Sequence, residues 1–318
     1  MDLAQQLQQL YSQFGDVSGI NIELHKELVA VSIENEAATA LIFLQGAQLV
    51  QYQAKGHAET LWLSPECDYR AGTTLRGGIP VCWPWFGDLA HNPEHIQQQC
   101  KHSDSPPAHG FVRNRNWRLD KISRLDQRNT EVTLSIDIAA GTPHYWPYNC
   151  QLSICFSIGE QLTIDFKVKN NDRKTLCYSA ALHSYFAVAN VEEALIEGLE
   201  GCQYLDCRYS QSHVDEANAS QQGAVTISQE TDRLYYTANN TLSLKDRQRA
   251  TQLSTKGSHS CVVWNPWIEK SKRLSGFNPQ AYKEMLCIET ANAGSDFINL
   301  QPKQQHSMSL TIANKEQA

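Results

Sequence analysis

From residue 131 to 169 apolar and polar side chains alternate with a period of two. In EVTLSIDIA the apolar set is Val132, Leu134, Ile136 and Ile138; in QLSICFSIG it is Leu152, Ile154, Phe156 and Ile158; in QLTIDFKVKN it is Leu162, Ile164, Phe166 and Val168. Successive side chains of a strand point to opposite faces, so the pattern buries one face and wets the other. Half-buried strands of this kind belong to antiparallel sheets. Gly159-Glu160 between the last two runs is a tight-turn signal, and the stretch reads as a meander. Similar short runs recur at ELVAVSI, ATALIFLQ, TLSLKD, CVVWNPW and MSLTIAN, whereas helical spacing is confined to residues 3–14, through Leu3, Leu7, Leu10, Tyr11 and Phe14. Neither an internal repeat nor strand–helix alternation is present. The sequence therefore predicts an all-β chain, one large antiparallel β-sandwich over residues 1–318 with a short N-terminal helix.

Composition narrows the function. A chain of 318 residues, 41% apolar, can bury a sizeable core as a single large all-β domain. A formal net charge of −7 argues against nucleic acid as a partner, because that affinity rests on clustered Lys and Arg. Any anion it binds has to be small and locally held. No apolar run approaches the ~18 residues that span a bilayer, and no Lys or Arg precedes Lys26, so neither a membrane anchor nor a signal peptide is expected. The ten cysteines are dispersed, and Cys150, Cys155, Cys177, Cys261 and Cys287 fall inside apolar runs, where a thiol behaves as a small hydrophobe. That points to a reduced, cytoplasmic protein. With no heptad and no obvious apolar patch, a monomer is the default expectation. HNPEH (residues 91–95) matches a zinc-protease pattern, but that pattern needs a helix and Pro93 falls within its turn, so a metal is not expected.

Sites usually sit on loops held by a rigid sheet, and four irregular segments stand out here. LRGGIPVCWPWFGD (75–88) combines Arg76 with Gly77-Gly78, two prolines and three large aromatics. Glycines allow close backbone approach and prolines withhold a ladder N–H, so a strand is interrupted there. Arg76 fits an anion clamp or a structural salt bridge; Trp83, Trp85 and Phe86 fit sugar stacking or core packing. AHGFVRNRNW (108–117) adds His109 and Arg113; a lone His before Gly is more often a satisfied residue than a catalyst. In ALHSYF, His183 lies inside an apolar run and needs a partner, and a carboxylate there would raise its pKa. In EMLCIETANA, Glu289 is equally out of place for a charge unless it is used.

Taken in order, LRGGIPVCWPWFG, HGFVRNRNW, LHSYF with the IEGLEG run, ETDRLYY, VVWNPW and CIETANA resemble the hexose-6-phosphate mutarotases (glucose-6-phosphate 1-epimerases) of the aldose 1-epimerase superfamily, over most of the chain from about residue 35. The resemblance implies a galactose-mutarotase-like β-supersandwich, no metal, no organic cofactor, and a phosphorylated hexose as the partner whose α and β anomers are interconverted. It assigns the catalytic histidine to His183 and the catalytic glutamate to Glu289. It places phosphate and sugar contacts at Arg76, Arg113 and Asp232, and a second active-site histidine at His109. In relatives of this type Gln can precede that histidine, where this chain has Ala108.

Anomerisation requires one base for the anomeric hydroxyl and one acid for the ring oxygen, the roles expected of Glu289 and of a protonated His183 respectively. Two other readings compete. A binding protein with the same pocket would need neither group, and a glycoside hydrolase would use two carboxylates, here Glu289 with Asp232.

Overall fold

The computed structural model describes residues 3–100, 105–210, 212, 213, 215, 217, 219–237, 239–247 and 249–315. Two large sheets dominate. One has nine strands and contains, as immediate neighbours, Gln305–Lys315, Gln161–Asn170, Cys150–Ile158, Thr130–Ile138 and Arg118–Arg124. The meander expected between residues 131 and 169 is there, turning at Gly159-Glu160. Cys150–Ile158 alternates strictly between buried and half-buried positions, as its sequence does. The N-terminal helix spans Leu3–Phe14. A separate four-stranded antiparallel sheet runs from Ile20–His25 to Gln48–Ala54.

The eight-stranded sheet carries the site. Its order is Ala219–Ser220, Gln203–Asp206, Thr231–Tyr236, Ser260–Asn265, Met285–Asn292, Ala180–Leu182 and Val81–Cys82, with Tyr185–Ala187 also paired to Met285–Asn292. Every named pairing is antiparallel. Ser260–Asn265 and Met285–Asn292 are buried at every position, so these central strands are covered on both faces. One apolar core includes Phe156 and Ile164 of the nine-stranded sheet with Val263 and Ile288 of this one. Each such side chain contributes roughly 1.5–3 kcal/mol on burial. A polar side chain on a strand covered on both faces is held in a protein interior, and Glu289 is one.

Two short helices, Glu94–Gln99 and Trp267–Ser271, were not expected from the sequence. The first begins inside HNPEH: Pro93 caps the helix, where its missing N–H is harmless, and Gln99 bonds the Cys177 backbone. Among the described residues the one group of His, Cys, Asp or Glu close enough to share an ion is His183, Cys287 and Glu289; His91, Glu94 and His95 form none. All ten cysteines are free thiols. Among the described residues no helix is long and apolar enough to cross a membrane.

Candidate active site

The register of one strand pair brings the two unlikely polar residues together. Leu182 lies opposite Thr290 and Tyr185 opposite Cys287, the same antiparallel register on either side of residues 183–184, which sets His183 opposite Glu289. Opposed residues share a face. His183 Nε2 and Glu289 Oε1 are 3.3 Å apart, with side chains 9% and 1% exposed. His183 Nδ1 and Glu289 Oε2 have no hydrogen-bond partner, so each group has unused capacity in a buried setting. Tyr185, two residues on and therefore on the same face, stacks on the imidazole at 4.7 Å and 11°. In the next strands Trp264 pairs with Cys287 and Asp232 with Trp264, which extends the same face into a floor.

LRGGIPVCWPWFGD forms the neighbouring wall. Val81–Cys82 is the last strand of the sheet, and the His183 and Tyr185 N–H groups donate to the carbonyls of Pro80 and Gly78 at 3.0 and 2.9 Å. On its other side the segment lies backbone against backbone along residues 62–64: Gly78 N–H donates to Trp62 O at 2.7 Å and Ser64 N–H to Arg76 O at 2.9 Å. A Cβ on Gly78, at φ +62°, would come within 2.3 Å of the Leu49 carbonyl. The glycines thus let Arg76 ride on a segment pressed between two others. The aromatics divide: Trp83 and Trp85 are wholly buried, Trp83 against Phe111, Trp146 and Tyr178, and they serve the core. Phe86 alone of the three reaches the cavity.

All six residues singled out from the sequence, Arg76, His109, Arg113, His183, Asp232 and Glu289, line one cavity of about 440 Å³. Arg76 Nε donates to Ser275 O at 2.9 Å and Arg113 Nη2 to Ala108 O at 2.8 Å. No carboxylate of the described residues forms an ion pair with either guanidinium, although the chain carries more acids than bases. Of the two readings of Arg76 offered by the sequence, the structural salt bridge is absent among the described residues. His109, at φ 62°, accepts from Gly87 N–H through Nδ1 at 3.2 Å, which leaves its proton on Nε2. Asp232 lies 3.4 Å from Lys270.

Burial controls the charges. It pushes the His183 imidazolium down to about 3, with Arg113 adding to the effect. This corrects the expectation that a carboxylate partner would raise the pKa: Glu289 is itself buried, and burial, then Asp232, holds its acid form well above the usual carboxylate range. The cavity therefore favours a neutral pair sharing one proton. His109 is likewise kept neutral by burial and by Arg113. Asp232 is raised by burial against the opposing pull of Lys270.

Several cavity residues went unnoticed in the sequence. Tyr185 was within reach, since it stands two places from His183 on a strand. Lys270 sits in the short helix Trp267–Ser271 and His213 in a polar run, with no periodicity to mark either. His213 is 7% exposed, faces Phe86 and His91, and burial takes its pKa down to about 4.

The aldose 1-epimerase profile matches residues 29–313. The chain belongs to the aldose 1-epimerase family. Aldose 1-epimerases interconvert sugar anomers, so this member is an isomerase with a small carbohydrate substrate. An Escherichia coli (strain K12) protein described as a "putative glucose-6-phosphate 1-epimerase" is 29% identical over 91% of this chain and 92% of its own. A protein of Cenchrus ciliaris with the same description is 30% identical over 79% of this chain and 74% of its own. Among solved structures, a Salmonella typhimurium protein described as a "putative mutarotase" superposes with a TM-score of 0.82 at 24% identity over 95% of both chains. The galactose 1-epimerase of Lactobacillus acidophilus superposes with a TM-score of 0.68 at 17% identity, covering 94% of this chain and 98% of its own. These two likenesses are of fold: the galactose-mutarotase-like β-sandwich expected from the sequence is the fold of this family member.

Proposed function

We propose that this aldose 1-epimerase interconverts the α and β anomers of hexose 6-phosphates, glucose 6-phosphate foremost, with Glu289 as base and His183 as acid. The observation that carries the reading is the pair of guanidiniums, Arg76 and Arg113, without carboxylate partners in the cavity that holds the opposed His183 and Glu289. A free sugar needs no such charge, whereas a phosphate monoester does. The descriptions of the curated relatives point the same way.

The chemistry needs one proton between two groups, which is what a neutral His183–Glu289 pair holds. Glu289 as carboxylate removes the proton from O1 while His183 as imidazolium gives its proton to the ring oxygen O5, and the C1–O5 bond breaks to leave an aldehyde and a C5 hydroxyl. The charged form of the pair is the tautomer of the neutral one, reached by moving the proton from Glu289 to His183. Rotation about C1–C2 turns the other carbonyl face toward O5. His183 then takes the O5 proton as O5 attacks C1, and Glu289 returns a proton to O1, so the pair ends as it began. His109, a neutral donor at Nε2, and Asp232, an acceptor held by Lys270, are placed to orient the hydroxyls.

His183→Asn and Glu289→Gln should each lower the anomerisation rate by roughly 10²–10⁴-fold, the usual range for a positioned acid or base. Glu289→Gln also removes a buried acid, so its thermal midpoint should match or exceed that of the parent chain. A folded variant turning over at the parent rate removes the role assigned to the substituted residue.

A further inference from the structure

One buried group beside the acid–base pair has no part in the chemistry: the thiol of Cys287. Cys287 stands two residues before Glu289 on the same strand, so both side chains leave it on one face, and it lies opposite Tyr185, whose ring stacks on the His183 imidazole. His183, Cys287 and Glu289 each have one ligand atom within 4.8 Å of those of the other two. Zn²⁺ takes imidazole nitrogen and carboxylate oxygen at about 2.0–2.1 Å and thiolate sulfur at about 2.3 Å, which puts neighbouring ligand atoms of a tetrahedral site about 3.3–3.6 Å apart. His183 Nε2 and Glu289 Oε1 are already 3.3 Å apart. The thiol has to close in by about 1.2 Å at most, the difference between 4.8 Å and 3.6 Å.

We infer that His183, Cys287 and Glu289 form a reversible inhibitory site for a thiophilic divalent cation, Zn²⁺ foremost, which enters through the cavity and occupies both catalytic groups. The binding rests on the trio's geometry; the inhibition rests on the roles proposed for His183 and Glu289. A thiolate and an imidazole select zinc over magnesium and calcium, which take oxygen ligands. The charge balance also suits the site. Cys287 and Glu289 each release a proton to solvent as the ion binds, so one dication with a thiolate, a carboxylate and a neutral imidazole is as neutral as the thiol, acid and imidazole it replaces. Arg76, Arg113 and Lys270, the basic side chains of the cavity, therefore meet no added charge. A resident metal is held by histidines that donate their second N–H to an outer partner. His183 Nδ1 and Glu289 Oε2 have no such partner, so the ion lacks that anchoring and leaves again. While it is bound, His183 Nε2 carries the metal in place of a proton and Glu289 is engaged, so neither acid nor base remains.

The test uses Co²⁺ as a spectroscopic probe and Zn²⁺ as inhibitor, with free-ion concentrations set by a metal buffer so that chelation by a phosphate ester does not enter. One equivalent of Co²⁺ should give the reduced protein a thiolate-to-metal charge-transfer band. Cys287→Ala and the shape-keeping Cys287→Ser should both lose that band, and Cys207→Ala, which removes another thiol at the cavity, should keep it. Zn²⁺ should inhibit anomerisation at free concentrations where Mg²⁺ has no effect. Each Cys287 variant, measured against its own metal-free rate, should need at least about tenfold more Zn²⁺ for half-inhibition, since losing even an outer partner of a ligand weakens metal binding by about 10–100-fold. No band in the parent protein, a band that survives both Cys287 substitutions, or half-inhibition at an unchanged Zn²⁺ concentration overturns the site. A band that depends on Cys287 with no effect of Zn²⁺ on the rate overturns the inhibition, and with it the roles given to His183 and Glu289, while the ion stays assigned to the trio.

Discussion

At the scale of the residue, desolvation outweighs pairing. His183 and Glu289 are each charged in ordinary surroundings near neutrality, one partly and one fully, yet burial moves both toward their neutral forms. The pair takes a second proton only near the depressed value of about 3 for His183, and it loses its one proton only above the ordinary carboxylate range, where Glu289 ionises. The rate with unphosphorylated glucose, which avoids titration of the phosphate, should therefore show no acid limb near 6.5, the ordinary histidine value; its acid limb should lie down near about 3, and its other decline on the alkaline side as Glu289 ionises. An acid limb centred near 6.5 would mean that His183 titrates as an exposed imidazole. The sequence marked His183 and Glu289 correctly as polar groups in apolar runs. It could not show the direction of the His183 shift, because that depends on how completely the partner is buried too.

At the scale of the element, legibility followed periodicity. The meander and the N-terminal helix were readable because one face of each is wet. Met285–Asn292 shows no alternation, being covered on both faces, and its partnership with the segment around His183, about a hundred residues earlier, leaves no local trace. The helices Glu94–Gln99 and Trp267–Ser271 are too short to develop a pattern. The glycines before Ile79 were legible as a site of close approach, though what approaches was not: the backbone of residues 49–50 and 62–63. Gly78→Ala should accordingly destabilise the fold by about 2–4 kcal/mol, adding a backbone clash to left-handed strain, whereas Gly141→Ala, also left-handed but with open space around it, should lose only about 1 kcal/mol. Equal losses in denaturant titrations would show that the press of segments behind Arg76 is looser than the structure has it.

At the scale of the whole molecule, an acidic chain holds Arg76 and Arg113 without a carboxylate partner among the described residues beside a buried acid–base pair, and under the proposed function that contrast separates a phosphorylated substrate from a free sugar. The antiparallel sheet supplies the opposed His183 and Glu289; the interrupted strand at its end supplies Arg76; the His109 loop supplies Arg113. The most direct measurement is the rate at which freshly dissolved α-glucose 6-phosphate relaxes to its anomeric equilibrium, followed by NMR exchange with and without the protein, beside the same experiment on α-glucose. The account predicts strong acceleration for the phosphate ester and a much smaller effect on glucose at equal concentration. Equal acceleration of both would contradict the role given to the arginines, and no acceleration of either would contradict the role given to His183 and Glu289.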